Sequence, residues 1–149
     1  MRLLIFIIFA LTLFACSASK MGLTKKRIVM NENYKHIYSI AVPVGDTGIS
    51  KIYGGHGQGF SINYIDDSFI YYTDDMYVAT PNYFNNYTSI NFTIPLGGLQ
   101  SDTTISGQQK DGKYWKEIFH KNYFIGYKNV MENQVSIFDK SLESFKKKR

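Results

Sequence analysis

One thiol is the sharpest chemical feature of this sequence. Cys16 is the single cysteine, so no intramolecular disulfide can form, and it follows directly on an apolar run. A thiol can serve as nucleophile, metal ligand or acylation site. The three histidines, His36, His56 and His120, lack the close ligand pairs of a zinc site. His56 sits inside Gly54-Gly55-His56-Gly57-Gln58-Gly59, and glycine-rich backbone can cradle an anion. A dinucleotide fingerprint would need glycine at position 60, which is Phe60, and no Lys-Ser/Thr follows as a phosphate loop requires. The stretch reads as a mobile strand connection, with His56 its one titratable group. Asp66-Asp67 and Asp74-Asp75 could do acid–base work or bind calcium. Neither pair shows alternating oxygen ligands, and Asp favours turns through its own side-chain hydrogen bonds. The sequence holds no Gly-x-Ser-x-Gly elbow and no His-Glu-x-x-His pair. No catalytic residue, metal site or cofactor is expected.

What precedes the thiol decides its chemistry. Met1-Arg2 is a short positive start, and Leu3 to Leu13 is an almost unbroken apolar run. That run suits the core of a secretion signal and falls short of the ~20 residues a permanent span needs. Leu13-Phe14-Ala15-Cys16 then resembles the lipobox of bacterial lipoprotein precursors, with Leu three residues before the cysteine and a small residue directly before it. The resemblance covers residues 1–16. It implies that residues 1–15 are removed, that Cys16 takes a diacylglycerol group, and that the protein is lipid-anchored in the cell envelope, with the outer membrane expected. Two other readings stand beside it: ordinary cleavage after Ser17 or Ala18 to release a soluble protein, and a buried apolar helix of a cytosolic one.

The elements behind the leader read as one domain. Residues 16–33 read as a lipidated tether, although Ile28-Val29-Met30 also suits a first strand or a short helix. From residue 34 the period becomes two: Tyr38, Ile40 and Val42 alternate with Ser39 and Ala41, a strand ending at Pro43. Phe60, Ile62 and Tyr64 repeat the pattern, Asp66 to Ser68 turns it, and 69–73 returns it as a hairpin. Further strands are expected at 76–80 and 89–94. Asp111-Gly112 predicts a type I′ hairpin between 103–109 and 114–119, and 123–130 is another strand. Met131, Val135, Phe138, Leu142 and Phe145 then lie at spacings of one helical face. That predicts a helix over 131–147, capped by Asn129 or Asn133 and ended by Lys146 to Arg149, whose charge suits its dipole. The expected fold is α+β: a mostly antiparallel sheet of about six to eight strands spanning 34–149, with a C-terminal amphipathic helix and one wet or partner-facing side. A small partly closed β-barrel is the alternative.

Composition narrows function further. The net charge is +5, with cations clustered at Lys25 to Arg27 and at Lys146 to Arg149. That placement suits an anionic lipid surface, and no nucleic-acid partner is expected of an exported protein. The chain carries 12 Tyr and 11 Phe. Tyr71, Tyr72, Tyr83, Tyr87 and Trp115, with His56, form the candidate binding surface, since such rings serve interfaces and stack on sugars. The competing explanation is that Tyr is simply a good strand former. Three functions follow: a non-enzymatic envelope module binding another protein, as an accessory or immunity-type lipoprotein; a glycan or cell-wall binding module; and a small hydrolase using His56 with Asp66 or Asp74.

Overall fold

A computed structural model describes residues 22–30, 36–54, 57–74, 103–120 and 122–148. Its elements run β1 (Leu23–Met30), β2 (His36–Pro43), β3 (Asp46–Gly54), β4 (Gly57–Tyr64), β5 (Phe69–Thr73), β6 (Thr103–Gln108), β7 (Tyr114–His120) and β8 (Tyr123–Val130). A single 3₁₀ turn at Glu132–Gln134 leads into helix α1 (Val135–Glu143) and strand β9 (Lys146–Lys148). Among the described residues there are thus nine strands in two sheets. A small sheet has the order β1-β2-β9 and a large one the order β3-β4-β5-β8-β7-β6. Every pairing is antiparallel, so the fold is α+β and mostly antiparallel. The strands expected at 76–80 and 89–94 lie outside the described residues, as do Cys16, His56, Tyr83 and Tyr87.

Period-two patterning builds the core between the sheets. Tyr38, Ile40 and Val42 of β2 face Phe60 and Ile62 of β4, Ile70 and Tyr72 of β5, and Ile125 and Tyr127 of β8. Phe138 and Leu142 carry α1 onto the same core. A bulge between Tyr114 and Lys116 on β7 sets an extra β8 residue opposite them, and Asn129 takes it up at φ 62. The shift of phase lets both Tyr127 and Val130 point inward. The Asn129 side chain then ties two turns together. It donates to the Asp67 carbonyl at 3.0 Å and accepts from Gln109 Nε2 at 2.9 Å.

The barrel alternative is not realised. Pro43 has no amide to extend β2, and the chain turns at Val44 and Gly45 (φ 104) from the small sheet into the large one. No ladder joins β1 to β3 among the described residues; lysines bridge that gap instead. Lys26 Nζ lies 2.8 Å from Asp46 Oδ1, and Lys51 Nζ donates to the Val29 carbonyl at 2.8 Å.

Four expectations are corrected. The tether over 16–33 gives way at Leu23, because β1 pairs along its whole length with β2 and buries Ile28 and Met30; the strand reading of 28–30 wins. The helix is shorter than 131–147. Met131 is extended and exposed, Gln134 rather than Asn129 or Asn133 is its N-cap, and Lys146–Lys148 pair with β2 instead of continuing the helix. The free edge of β2 supplies ladder partners that a fourth helical turn could not match. The glycine stretch is mostly strand: Gly54 pairs with Gly57 and Gly59 pairs with Ile52, leaving residues 55–56 between the strands. Finally, Asp111 has no positive φ. Gly112 alone does, at 84°, with its amide on the Gln109 carbonyl at 3.0 Å. That is a type I turn followed by a left-handed glycine, which needs one unusual residue instead of two.

Candidate functional site

The large sheet carries aromatic side chains on both faces. Its front packs on the small sheet and α1. Its back holds Tyr71, Trp115, Phe119 and Phe124, all buried yet outside the front core cluster. Two of them lie across glycines of neighbouring strands. A Cβ at Gly126 would stand 2.7 Å from the Tyr71 hydroxyl oxygen, and one at Gly107 would stand 2.9 Å from Trp115 Nε1. Each ring therefore fills the space its cross-strand glycine leaves, which pins register as well as area. Tyr71 and Trp115, two residues nominated from the sequence, thus share one face but belong to the interior.

Sequence reading missed the charged member of that face. Glu117 is 1% exposed and stands opposite Gly126 of β8 and Ile105 of β6. A buried carboxylate must be hydrogen-bonded or hold its proton, which makes such a group a candidate acid or ligand-orienting residue. The signal was present in period two: Trp115, Glu117 and Phe119 alternate with Tyr114, Lys116 and Ile118, placing Glu117 on the apolar side.

Tyr72 lies on the opposite face, inside a seam between the sheets. Its ring centroid is 4.6 Å from that of Tyr38 and 5.3 Å from those of Phe60 and Phe145. Its hydroxyl donates to Asp74 Oδ2 at 3.1 Å. Lys147 Nζ donates to both, at 3.1 Å to Tyr72 and 3.2 Å to Asp74. Gln58 Nε2 donates to the Tyr38 hydroxyl at 3.0 Å, and the Gln58 amide donates to Asp74 Oδ1 at 2.8 Å. Burial holds the phenol of Tyr72 far above its ordinary value, with neighbouring Tyr38 and Asp74 adding to it. Burial raises Tyr38 as well. Phenols held protonated in this way are hydrogen-bonding posts and poor bases.

The other carboxylates nominated for chemistry also hold structure. Asp66 accepts from the Ser68 amide at 3.1 Å and from its hydroxyl at 2.6 Å, closing the turn after β4. Burial opposes ionisation there, but the Ser68 bonds outweigh it and hold the carboxyl below its usual value. His36 opens β2 beside Tyr38, and His120 ends β7 with its ring 5.3 Å from that of Tyr123. No three of the described His, Asp and Glu side chains cluster as metal ligands would.

An open groove of ≈ 580 Å³ runs along α1, lined by Tyr114, Glu132, Val135, Ser136, Asp139, Lys140 and Glu143. Asp139 is occupied, accepting from Lys116 Nζ and the Tyr127 hydroxyl at 3.0 Å each. Glu132, Lys140 and Glu143 are exposed, so the groove presents two carboxylates and one ammonium to solvent.

The fold and these faces define a small two-sheet antiparallel domain with one packed helix. Comparison with protein-family models, curated proteins and solved structures returns no match for the chain.

Proposed function

We propose that this chain is the precursor of a lipid-anchored bacterial envelope protein. Residues 1–15 act as the leader, Cys16 carries the lipid, and the two-sheet domain is a non-enzymatic module that binds another envelope protein in an accessory or immunity-type role. The observation that carries the reading is the run Leu3 to Leu13 ending in Leu13-Phe14-Ala15-Cys16. Two or three acyl chains on one cysteine give durable attachment where one chain is marginal.

Support for a binding role comes from how the ionisable groups are used. Asp66 and Asp74, the carboxylates a hydrolase would draw on, hold a turn and a seam. The glycan reading needed Tyr71, Tyr72 and Trp115 at the surface, and all three are buried. The carboxylate-lined groove along α1 offers a protein partner's basic segment a concave surface.

Blocking signal removal with globomycin, or substituting Cys16→Ser, tests the anchoring. Either treatment should leave residues 1–15 attached and enlarge the protein, and Cys16→Ser should also abolish fatty-acid labelling of the chain; unchanged size and labelling would refute it. Pull-down with the lipidated chain tests the binding role. A partner retained by the wild type and lost from Glu132→Lys/Glu143→Lys supports it. Failure to retain any specific envelope protein counts against it.

A further inference from the structure

The two basic ends of the sequence meet on one surface. In β1, residues 26, 28 and 30 point toward the core, which turns Lys25 and Arg27 outward. In β2, Tyr38, Ile40 and Val42 point inward, which turns Ile37, Ser39 and Ala41 outward. In β9, Lys147 reaches into the seam, which turns Lys146 and Lys148 outward. Register aligns them: Lys25 stands opposite Ala41, Arg27 opposite Ser39, Ser39 opposite Lys146, and Ile37 opposite Lys148. The outer face of the small sheet is therefore a shallow stripe of small and apolar residues flanked on both sides by exposed cations. Its three strands contain no Asp or Glu. Among the described residues, none of the four outward cations forms an ion pair.

We infer that this face lies on an anionic bilayer surface and contacts lipid phosphates. Two observations select that occupant. The first is charge: four cations on a flat sheet match a plane of headgroups, while the domain's groove along α1 carries carboxylates. The second is the length of chain between anchor and sheet, and here the argument rests on the lipoprotein reading. β1 begins at Leu23, so only residues 17–22 separate it from Cys16. Fully extended, that stretch reaches at most about 25 Å. The anchor thus confines β1 to within about 25 Å of the headgroups, so the sheet can dock on them even though their field decays over about 8 Å at physiological salt. Each cation near such a surface multiplies the face-down population by about fivefold. The lipid holds the domain at the membrane, and the face fixes which side is turned toward it. The groove is then left free for a partner.

Lysine acylation read by mass spectrometry tests the orientation. The full chain, prepared from membranes, is reconstituted into vesicles of phosphatidylcholine alone or with phosphatidylglycerol, and treated with a water-soluble acylating ester. In the anionic vesicles Lys25, Lys146 and Lys148 should react several-fold more slowly than Lys110, which lies in the turn after β6. High salt should abolish the difference, and neutral vesicles should not show it. Arg27→Glu removes one attraction and adds one repulsion, so the face-down population should fall by roughly 25-fold and the protection of Lys146 should be lost. Equal reactivity of all four lysines in anionic vesicles overturns the inference while leaving anchoring intact. Loss of the chain from neutral vesicles, with protection retained in anionic ones, refutes the lipid anchor and supports the face. Protection by a single-stranded oligonucleotide but by no vesicle overturns the inference as well, since the face would then be a nucleic-acid surface.

Discussion

Lys147 Nζ lies 3.2 Å from Asp74 Oδ2, a contact between residues 73 positions apart that fastens β9 to the large sheet. The lysine stem crosses the rings of Tyr38 and Tyr72, with Nζ 5.9 and 5.8 Å from their centroids. Asp74 also accepts from the Gln58 amide and the Tyr72 hydroxyl. Removing the carboxylate leaves three donors without their acceptor, and Asp74→Ala should cost about 2–3 kcal/mol. Lys147→Met keeps the stem on the rings and should cost only about 1 kcal/mol. Urea midpoints of the two variants check the ranking; equal losses would mean that the Gln58 and Tyr72 bonds to Asp74 add nothing beyond the ion pair.

Ser144 does the work of a missing strand residue. Past β9 the edge of β2 is unpaired, and the Ala41 amide donates to Ser144 Oγ at 2.7 Å. Ser144→Ala should destabilise the protein by about 1–2 kcal/mol, the cost of stranding a partly buried amide. Hydrogen exchange at Ala41 should rise with it, and an unchanged exchange rate would contradict the assignment.

Two glycines should respond differently to alanine. At Gly126 a Cβ meets the Lys116 carbonyl and the Tyr71 ring, so Gly126→Ala must displace backbone or expel the ring, at about 1–3 kcal/mol or more. At Gly112 a Cβ would find Gln108 Nε2 at 3.9 Å and nothing nearer, but φ is 84°. Gly112→Ala should cost about 1–2 kcal/mol through backbone strain alone. Gly126→Ala should also change near-ultraviolet circular dichroism from displaced Tyr71, whereas Gly112→Ala should not.

Alkaline pH should unfold the protein through its phenols. Burial raises Tyr64, Tyr72, Tyr127 and Tyr38 above the ordinary value, with carboxylates beside them adding to the shift. Below a pH of about 10 these phenols are protonated in both states and their contribution to stability is complete. Above it the unfolded chain ionises first, so stability falls as pH rises. A spectrophotometric titration should show at least these four of the 12 tyrosines ionising only with the unfolding transition. Smooth ionisation of all 12 near the ordinary value would contradict the burial.

Period-two alternation made β2 and β4 legible, because each has one face in a core; the Asp111-Gly112 turn placed β7, while β8 is buried on both faces over 124–127 and shows no such alternation. β1 was obscured by Lys25, Lys26 and Arg27, which suggest solvent until their alternation with Ile28 and Met30 is followed. The helix was overextended because Phe145 falls on the same stripe as Phe138 and Leu142, yet packs from beyond the helix end on Tyr38 and Tyr72. β9 was not legible at all. Three lysines have no strand signature, and their pairing is imposed by the vacant edge of β2. Aromatic content could not reveal which rings were buried, because both faces of the large sheet carry them. That is why Tyr71, Tyr72 and Trp115 suggested a surface. Glu117 escaped attention because a single carboxylate in a strand usually faces water.

Intact-mass analysis of the protein recovered from bacterial membranes tests the anchored-domain account most directly. The account predicts a chain beginning at Cys16, lacking residues 1–15 and heavier by a diacylglycerol group, with or without a further acyl chain. An unmodified Cys16 within a chain that still carries Met1 to Ala15 and is recovered from the cytosol would contradict it.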